Sequence, residues 1–373
     1  MDIKTFKVER WMNDYEDHCT YNLAETCIDS LTIRELLEIC GKDPAAYMTA
    51  LADTRLTYSH IFGSPELLDG IASLYKEAKP EHIIPTHGAV GANHLAISTI
   101  ISAGDNMVSV MPTYQQHYSI PEAIGAEVRI LNLNLDNHFL PDMEKLRSLV
   151  DENTKMITIN SPNNPSGSLI PLKQLEQIAE VARNVGAYVL CDEVYRGISE
   201  DGSYMPSIVD VYEKGVSVGS MSKIFSMAGV RLGWVVTRDE ELIEKCKERR
   251  DYDTISCGVI DDKLASLALA NKDKIYARNS EILLKNRQIL DDWVNATEVV
   301  YYQKPEGGTT ALVYYKKDIP SYELCVKLLA SKGVLFTPGE CFEMEGAVRI
   351  GYAFDSKLLK QGLDLFAEFL REI

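Results

Sequence analysis

Short runs of β-branched and apolar residues alternate with longer helical patterns through the middle of the chain. Residues 106–111, 126–131, 155–159, 187–191 and 216–219 read as strands. Between them lie amphipathic stretches such as 171–185, with Leu172, Leu175, Ile178, Ala179 and Ala182 at helical spacing. Pro171 suits the first turn of that helix and Gly186 its exit. Strand–helix–strand alternation predicts an α/β fold with a mostly parallel sheet covered on both faces. Ligands of such sheets sit beyond the carboxyl ends of the strands, so the strand-end loops are where chemistry is sought. The last third differs. It reads as a long helix over 261–295, strands at 298–302 and 309–315, a helix at 322–332, a strand at 347–350 and a final helix at 356–371. The pattern predicts three parts: an arm and helix over 1–45, a large domain over 46–260, and a smaller α+β domain over 261–373 onto which the arm packs.

Composition narrows the function classes. The chain has 373 residues, 46% hydrophobic and 25% charged, which is a soluble globular balance and not that of a disordered chain. Lys and Arg total 38 against 55 Asp and Glu, a net charge of −17. That charge argues against nucleic acid as a partner, since phosphates would be repelled and no basic run compensates. No stretch is apolar enough for a membrane span or a signal peptide, so a cytoplasmic protein is expected. The eight cysteines form no CxxC pair and read as reduced thiols. The seven histidines show no metal-ligand spacing, so no metal site is expected.

Four strand-end segments carry candidate chemistry. In the first, Lys223 follows a strand, with Ser220 and Ser222 flanking Met221 and Arg231 eight residues on in a Gly-x-Arg-x-Gly turn. A pocket lysine whose pKa is lowered by burial can form a Schiff base, and small hydroxyls beside an arginine suit a phosphate. A surface lysine and a loop arginine would give the same spacing. The second, Asn160-Ser161-Pro162-Asn163-Asn164-Pro165-Ser166-Gly167, directly follows a strand and also reads as a plain tight turn. In the third, Asp192 follows a buried strand, three residues before Tyr195, where it could equally be solvated or cap a helix. The fourth, Gly88-Ala89-Val90, opens a helix whose free N–H groups suit a phosphate.

Taken in order, Gly-Ala, Asn-Pro-Ser-Gly, Asp-x-x-Tyr, Ser-x-Ser-Lys and Gly-x-Arg-x-Gly resemble the fold-type I pyridoxal-phosphate enzymes of the class I/II aminotransferase family, from Asn22 to the end of the chain. The resemblance implies an aspartate aminotransferase-like fold, with a mostly parallel seven-stranded sheet in the cofactor-binding domain. It also implies roles. Lys223 holds pyridoxal 5′-phosphate and then moves the Cα proton, and Asp192 keeps the ring nitrogen protonated. Asn164 and Tyr195 hydrogen-bond the phenolic oxygen. Gly88, Ala89, Val90, Ser220, Ser222 and Arg231 hold the phosphate. Tyr114 stacks on the ring, unless it is a core tyrosine. Arg349 clamps the substrate carboxylate, unless it makes a structural salt bridge, and Ala24 and Asn164 lie beside the substrate. Tyr58 reaches the phosphate of a neighbouring subunit, which implies a homodimer with shared active sites.

The sequence departs from the family where Val90 replaces a usual Ser or Thr and where Leu23-Ala24-Glu25-Thr26 replaces a glycine-rich start. Residues 252–258 lack the extra arginine of dicarboxylate-specific members, so an aspartate or glutamate preference is not supported. The leading expectation is amino transfer between an amino acid and a 2-oxo acid. A lyase acting on cysteine conjugates, or a cyclase acting on a modified arginine, would use the same residues. A cofactor-binding regulator is the non-enzyme alternative, disfavoured because the arm leaves no room for a DNA-binding module.

Overall fold

The computed structural model describes residues 2–197 and 204–373. After helix Lys7–Tyr15 comes a two-residue strand, β1 (Tyr21–Asn22). The next strands are β2 (Ile83–His87), β3 (Asn106–Met111), β4 (Glu127–Asn132), β5 (Thr154–Asn160), β6 (Tyr188–Asp192), β7 (Gly215–Ser220) and β8 (Leu232–Thr237). They form one seven-stranded sheet in the order β2-β8-β7-β6-β5-β3-β4. Neighbours among β3 to β7 pair in parallel, while β8 runs antiparallel to both β7 and β2. Strands β7 and β8 are buried along their whole length and β3, β5 and β6 nearly so, as expected for a sheet covered on both faces.

Five of these strands lie within one residue of the positions read from the pattern; β2 and β8 were not among them. Pro85 interrupts the apolar run of β2, and the sheet tolerates it because β2 is an edge strand. Gly233 interrupts β8 in the same way. The predicted helix at 171–185 is Leu172–Val185, with Pro171 just outside as its N-cap and Gly186 closing it at φ +73°.

The remaining strands are β9 (Val300–Tyr302), β10 (Thr310–Tyr315), β11 (Val334–Leu335), β12 (Thr337–Pro338) and β13 (Ala347–Gly351). An antiparallel sheet has the order β12-β13-β10-β9, and β11 pairs in parallel with β1. The single helix expected over 261–295 is two, Val259–Ala270 and Lys272–Ala296. They break at Asn271, whose side chain turns back to donate to the Leu267 carbonyl at 3.0 Å. The second helix is 25 residues long, about 37 Å at 1.5 Å per residue. Its Ile275 and Tyr276 join the core of the large sheet, and its Leu290 and Trp293 join a second core with Phe336 and Phe366. The N-terminal helix belongs to that second core through Val8 and Trp11, and Trp11 Nε1 donates to the Phe336 carbonyl at 2.8 Å. Among the described residues no helix is long and apolar enough to cross a membrane.

Candidate active site

Strands β5, β6 and β7 end at Asn160, Asp192 and Ser220, on the edge from which β2 and β3 lead to Gly88 and Tyr114. A cavity of about 600 Å³ opens there. Asp192 is 3% exposed at its floor, so it is neither solvated nor a helix cap. Its Oδ2 accepts from Asn93 Nδ2 at 2.8 Å and lies 3.6 Å from His117 Nε2, while its Oδ1 accepts from the Val194 N–H at 3.2 Å. The turn after β6 is fixed beneath it. Buried Glu193 faces Arg196 at 3.7 Å and accepts from Ser207, Ser217 and the Ile208 N–H. Tyr195, between these two, lines the cavity and is 3% exposed.

One corner of the cavity is built for close approach. Helix Gly88–Ile100 starts where β2 ends, and a Cβ on Gly233 of β8 would lie 2.4 Å from the Gly88 carbonyl carbon and 2.6 Å from the Ala89 nitrogen. Only glycine lets the strand meet that helix end. Gly88 has φ +68°, and a Cβ there would lie 2.9 Å from Arg231 Nη2. Ala89, Val90, Ser220, Ser222 and Arg231 line this corner, so the structure joins free helix N–H groups, two hydroxyls and a guanidinium.

Lys223 Nζ donates to Thr26 Oγ1 at 2.6 Å and to Cys27 Sγ at 3.6 Å. Burial by itself would lower its pKa, as expected from the sequence. Tyr195, Cys27 and Glu25 face the ammonium and outweigh burial, so the pKa is raised instead. Burial also pushes the Cys27 thiol up to about 11. Glu25 Oε1 accepts the Thr26 and Cys27 N–H groups at 2.7 Å each. Burial works against its charge, but Lys223 and these N–H groups bring its pKa below the usual value.

Arg349, on β13, enters from the opposite wall and is 3% exposed. All its hydrogen bonds go to neutral oxygens: Nη1 to Asn164 Oδ1 at 3.2 Å, and Nη2 to the Ala24 carbonyl and Thr337 Oγ1 at 2.9 Å each. Its Nε has no partner. Burial lowers its pKa, and no carboxylate pairs with it among the described residues. Asn164 is held by its own N–H, which donates to Asn160 Oδ1 at 2.6 Å. Tyr114 lines the cavity and donates to Glu9 Oε1 at 2.7 Å, with the Phe6 ring 4.8 Å away. Burial and then Glu9 raise its pKa.

Thirteen of the fourteen predicted site residues thus lie at or beside this cavity. Tyr58 does not: it is 67% exposed and does not line the cavity of its own chain. Sequence reading missed Asn93, His117, Thr26, Glu25 and Glu9. Asn93 was visible as a polar residue on the inner face of the Gly88–Ile100 helix, five residues past its start. Nothing local marks the others: Glu9, Glu25 and Thr26 reach the cavity through long-range packing of the N-terminal segment, and His117 reaches Asp192 from the helix Gln116–Ile124.

The chain belongs to the family described as aminotransferase class I and II, which matches residues 34–366. A pyridoxal-phosphate-dependent aminotransferase structure from Streptococcus suis is 42% identical, with a TM-score of 0.97 over 100% of this chain and 99% of that one. A capreomycidine synthase from Streptomyces vinaceus is 26% identical over 97% of this chain and 93% of its own. An aspartate aminotransferase from Sulfolobus acidocaldarius is 25% identical over 85% of this chain and 83% of its own. The protein is accordingly a pyridoxal-phosphate-dependent transferase with the aspartate aminotransferase-like fold. Its residues fit the cofactor: an amine at Lys223, a buried carboxylate at Asp192, and a glycine-walled corner of N–H donors beside Arg231.

Proposed function

We propose that the protein moves an amino group between an amino acid and a 2-oxo acid, with the site residues acting as follows. When bound, pyridoxal phosphate supplies an electron sink for the negative charge that develops at the substrate Cα. Asp192 holds the proton on the ring nitrogen, and Asn93 and His117 orient its carboxylate. Asn164, whose Oδ1 is taken by Arg349, offers Nδ2 to the phenolic oxygen, and Tyr195 offers its hydroxyl there. The Gly88–Ala89–Val90 helix end, Ser220, Ser222 and Arg231 bind the phosphate. Lys223 is the amine that joins the cofactor, and its Nζ then carries the proton at Cα. Arg349 binds the substrate α-carboxylate, with Ala24 at its edge. The carrying observation is that Lys223, Asp192 and Arg349, from three distant parts of the chain, converge on one cavity.

The similarity to capreomycidine synthase favours a second reading, ring closure on the same scaffold. Product analysis separates the two. Incubating the holoenzyme with amino acids and a 2-oxo acid acceptor should yield the new amino acid and new oxo acid in equal amounts. Consumption of the amino acid without acceptor, giving a ring or pyruvate plus ammonia, would overturn amino transfer.

We further propose a homodimer with shared sites. Tyr58 sits in a segment that also exposes Leu56, Ile61 and Phe62, an apolar surface suited to a second copy. In that arrangement Tyr58 serves the partner's phosphate corner.

A further inference from the structure

Three carboxylates line the cavity besides Asp192: Glu9 and Glu16 from the N-terminal arm, and Glu25. The cationic side chains lining it are Lys223, Arg231 and Arg349. This inference rests on the amino-transfer reading, which assigns Arg231 to the phosphate and Arg349 to the substrate α-carboxylate. Asp192 is matched by the ring nitrogen. That leaves three carboxylates against Lys223; Glu25 is the one whose charge Lys223 favours, and Glu25 and Glu9 also act on the Arg349 guanidinium from beyond hydrogen-bond distance.

The other two hydrogen-bond to no cation among the described residues. Glu16 Oε1 accepts from Asn22 Nδ2 at 3.1 Å and Glu9 Oε1 from the Tyr114 hydroxyl, both neutral donors. Neither forms an ion pair among the described residues, and neither Oε2 has a hydrogen-bond donor there. Both line the cavity, Glu9 at its exposed rim and Glu16 half-buried. Burial raises the pKa of Glu16, and repulsion from Glu25, Asp17 and Glu9 adds to it, with Asn22 opposing. Such repulsion at Glu16 is relieved by a positive charge placed beside it. Across the cavity, the buried Arg349 with its unpartnered Nε independently calls for a carboxylate. A ligand that answers both walls is negative at one end and positive at the other.

We propose that the preferred amino donor carries a cationic side chain, an ammonium or guanidinium, seated between Glu9 and Glu16 while its α-carboxylate lies on Arg349. Glu9 and Glu16 are then the specificity-determining residues. They repel the distal carboxylate of a dicarboxylic donor, for which this cavity offers no spare arginine. The arm that carries them also lines the cavity with Phe6, Val8 and Met12, so the acidic pair stands among apolar residues on the arm's side.

The test compares L-arginine and L-lysine with L-citrulline, the neutral isostere of arginine, and L-glutamate as donors to the holoenzyme. The expected result is a kcat/KM for arginine or lysine about tenfold or more above citrulline, carried by KM, with glutamate lowest. Whichever basic donor leads distinguishes guanidinium from ammonium. Glu16→Gln and, independently, Glu9→Gln should shrink the preference by raising KM for the basic donor while citrulline is little changed. Turnover of neutral or acidic donors without a basic preference overturns this inference and leaves amino transfer standing. If no donor of any class changes the absorbance of the bound cofactor, amino transfer itself fails, and calorimetric binding to the holoprotein decides. Arginine tighter than citrulline then supports the cationic seat, and equal affinities overturn it.

Discussion

At the scale of single residues, the proposed chemistry depends on charges that burial makes expensive and neighbours make tolerable. Asp192 accepts from Asn93 and has His117 3.6 Å away, on a nearly buried cavity floor. Asp192→Asn should keep the fold and lower turnover by about 100-fold or more, because an amide cannot hold the ring nitrogen protonated. Turnover close to that of the parent with any accepted donor would show that the pairing is wrong. Arg349 hydrogen-bonds only neutral oxygens, and Glu25 and Glu9 act on its charge only from farther off, so the guanidinium is left to bind a carboxylate directly. Arg349→Lys keeps the charge and removes the planar fork. It should raise KM for amino acids about 10- to 100-fold while cofactor affinity, measured by fluorescence, is unchanged. The residues legible from local pattern are those standing next to a strand end in the chain, Lys223, Asp192 and Asn164, whereas Arg349, in mid-strand, and Ala24 were reached only through the family resemblance. Thr26, Glu25 and Glu9 were not, since nothing at residues 9–26 marks their meeting with a loop some 200 positions later, where Thr26 touches Lys223.

At the scale of elements, the site is a property of strand ends. The parallel run β5-β6-β7 was legible because fully buried strands read as continuous apolar stretches between turn residues. Strand β8 was hidden by Gly233, the residue that makes the phosphate corner possible. Gly233→Ala places a Cβ against the backbone of Gly88 and Ala89. It should cost about 1–3 kcal/mol in denaturant unfolding, the range for overpacked sites, and weaken cofactor binding by equilibrium dialysis. A variant with both properties unchanged would mean that the strand and helix end separate freely. The break at Asn271 also escaped the sequence pattern, because the apolar periodicity continues across it and only a side-chain bond marks the turn.

At the scale of the whole molecule, the proposed dimer explains why a tyrosine matched to the phosphate site lies exposed and away from its own cavity. Mixing a Lys223→Ala chain with a Tyr58→Phe chain should produce heterodimers in which one site carries both lesions and the other neither. Activity should rise above that of either parent once exchange is verified by native mass measurement. Verified exchange without recovery would place Tyr58 outside the catalytic assembly. The arm offers a different lesson about this architecture. The family match begins at residue 34, so Glu9, Glu16, Ala24 and Glu25 all precede it, whereas Asp192, Lys223, Arg231 and Arg349 fall within it. The proposed wall for the donor side chain and the floor assigned to the reaction therefore lie on separate stretches of chain. Exchange of the first 33 residues with those of a relative is a graft of appetite onto unchanged machinery. Such a chimera should adopt the donor ranking of the arm's parent, read as the arginine-to-citrulline ratio of kcat/KM, while keeping the cofactor affinity of the body.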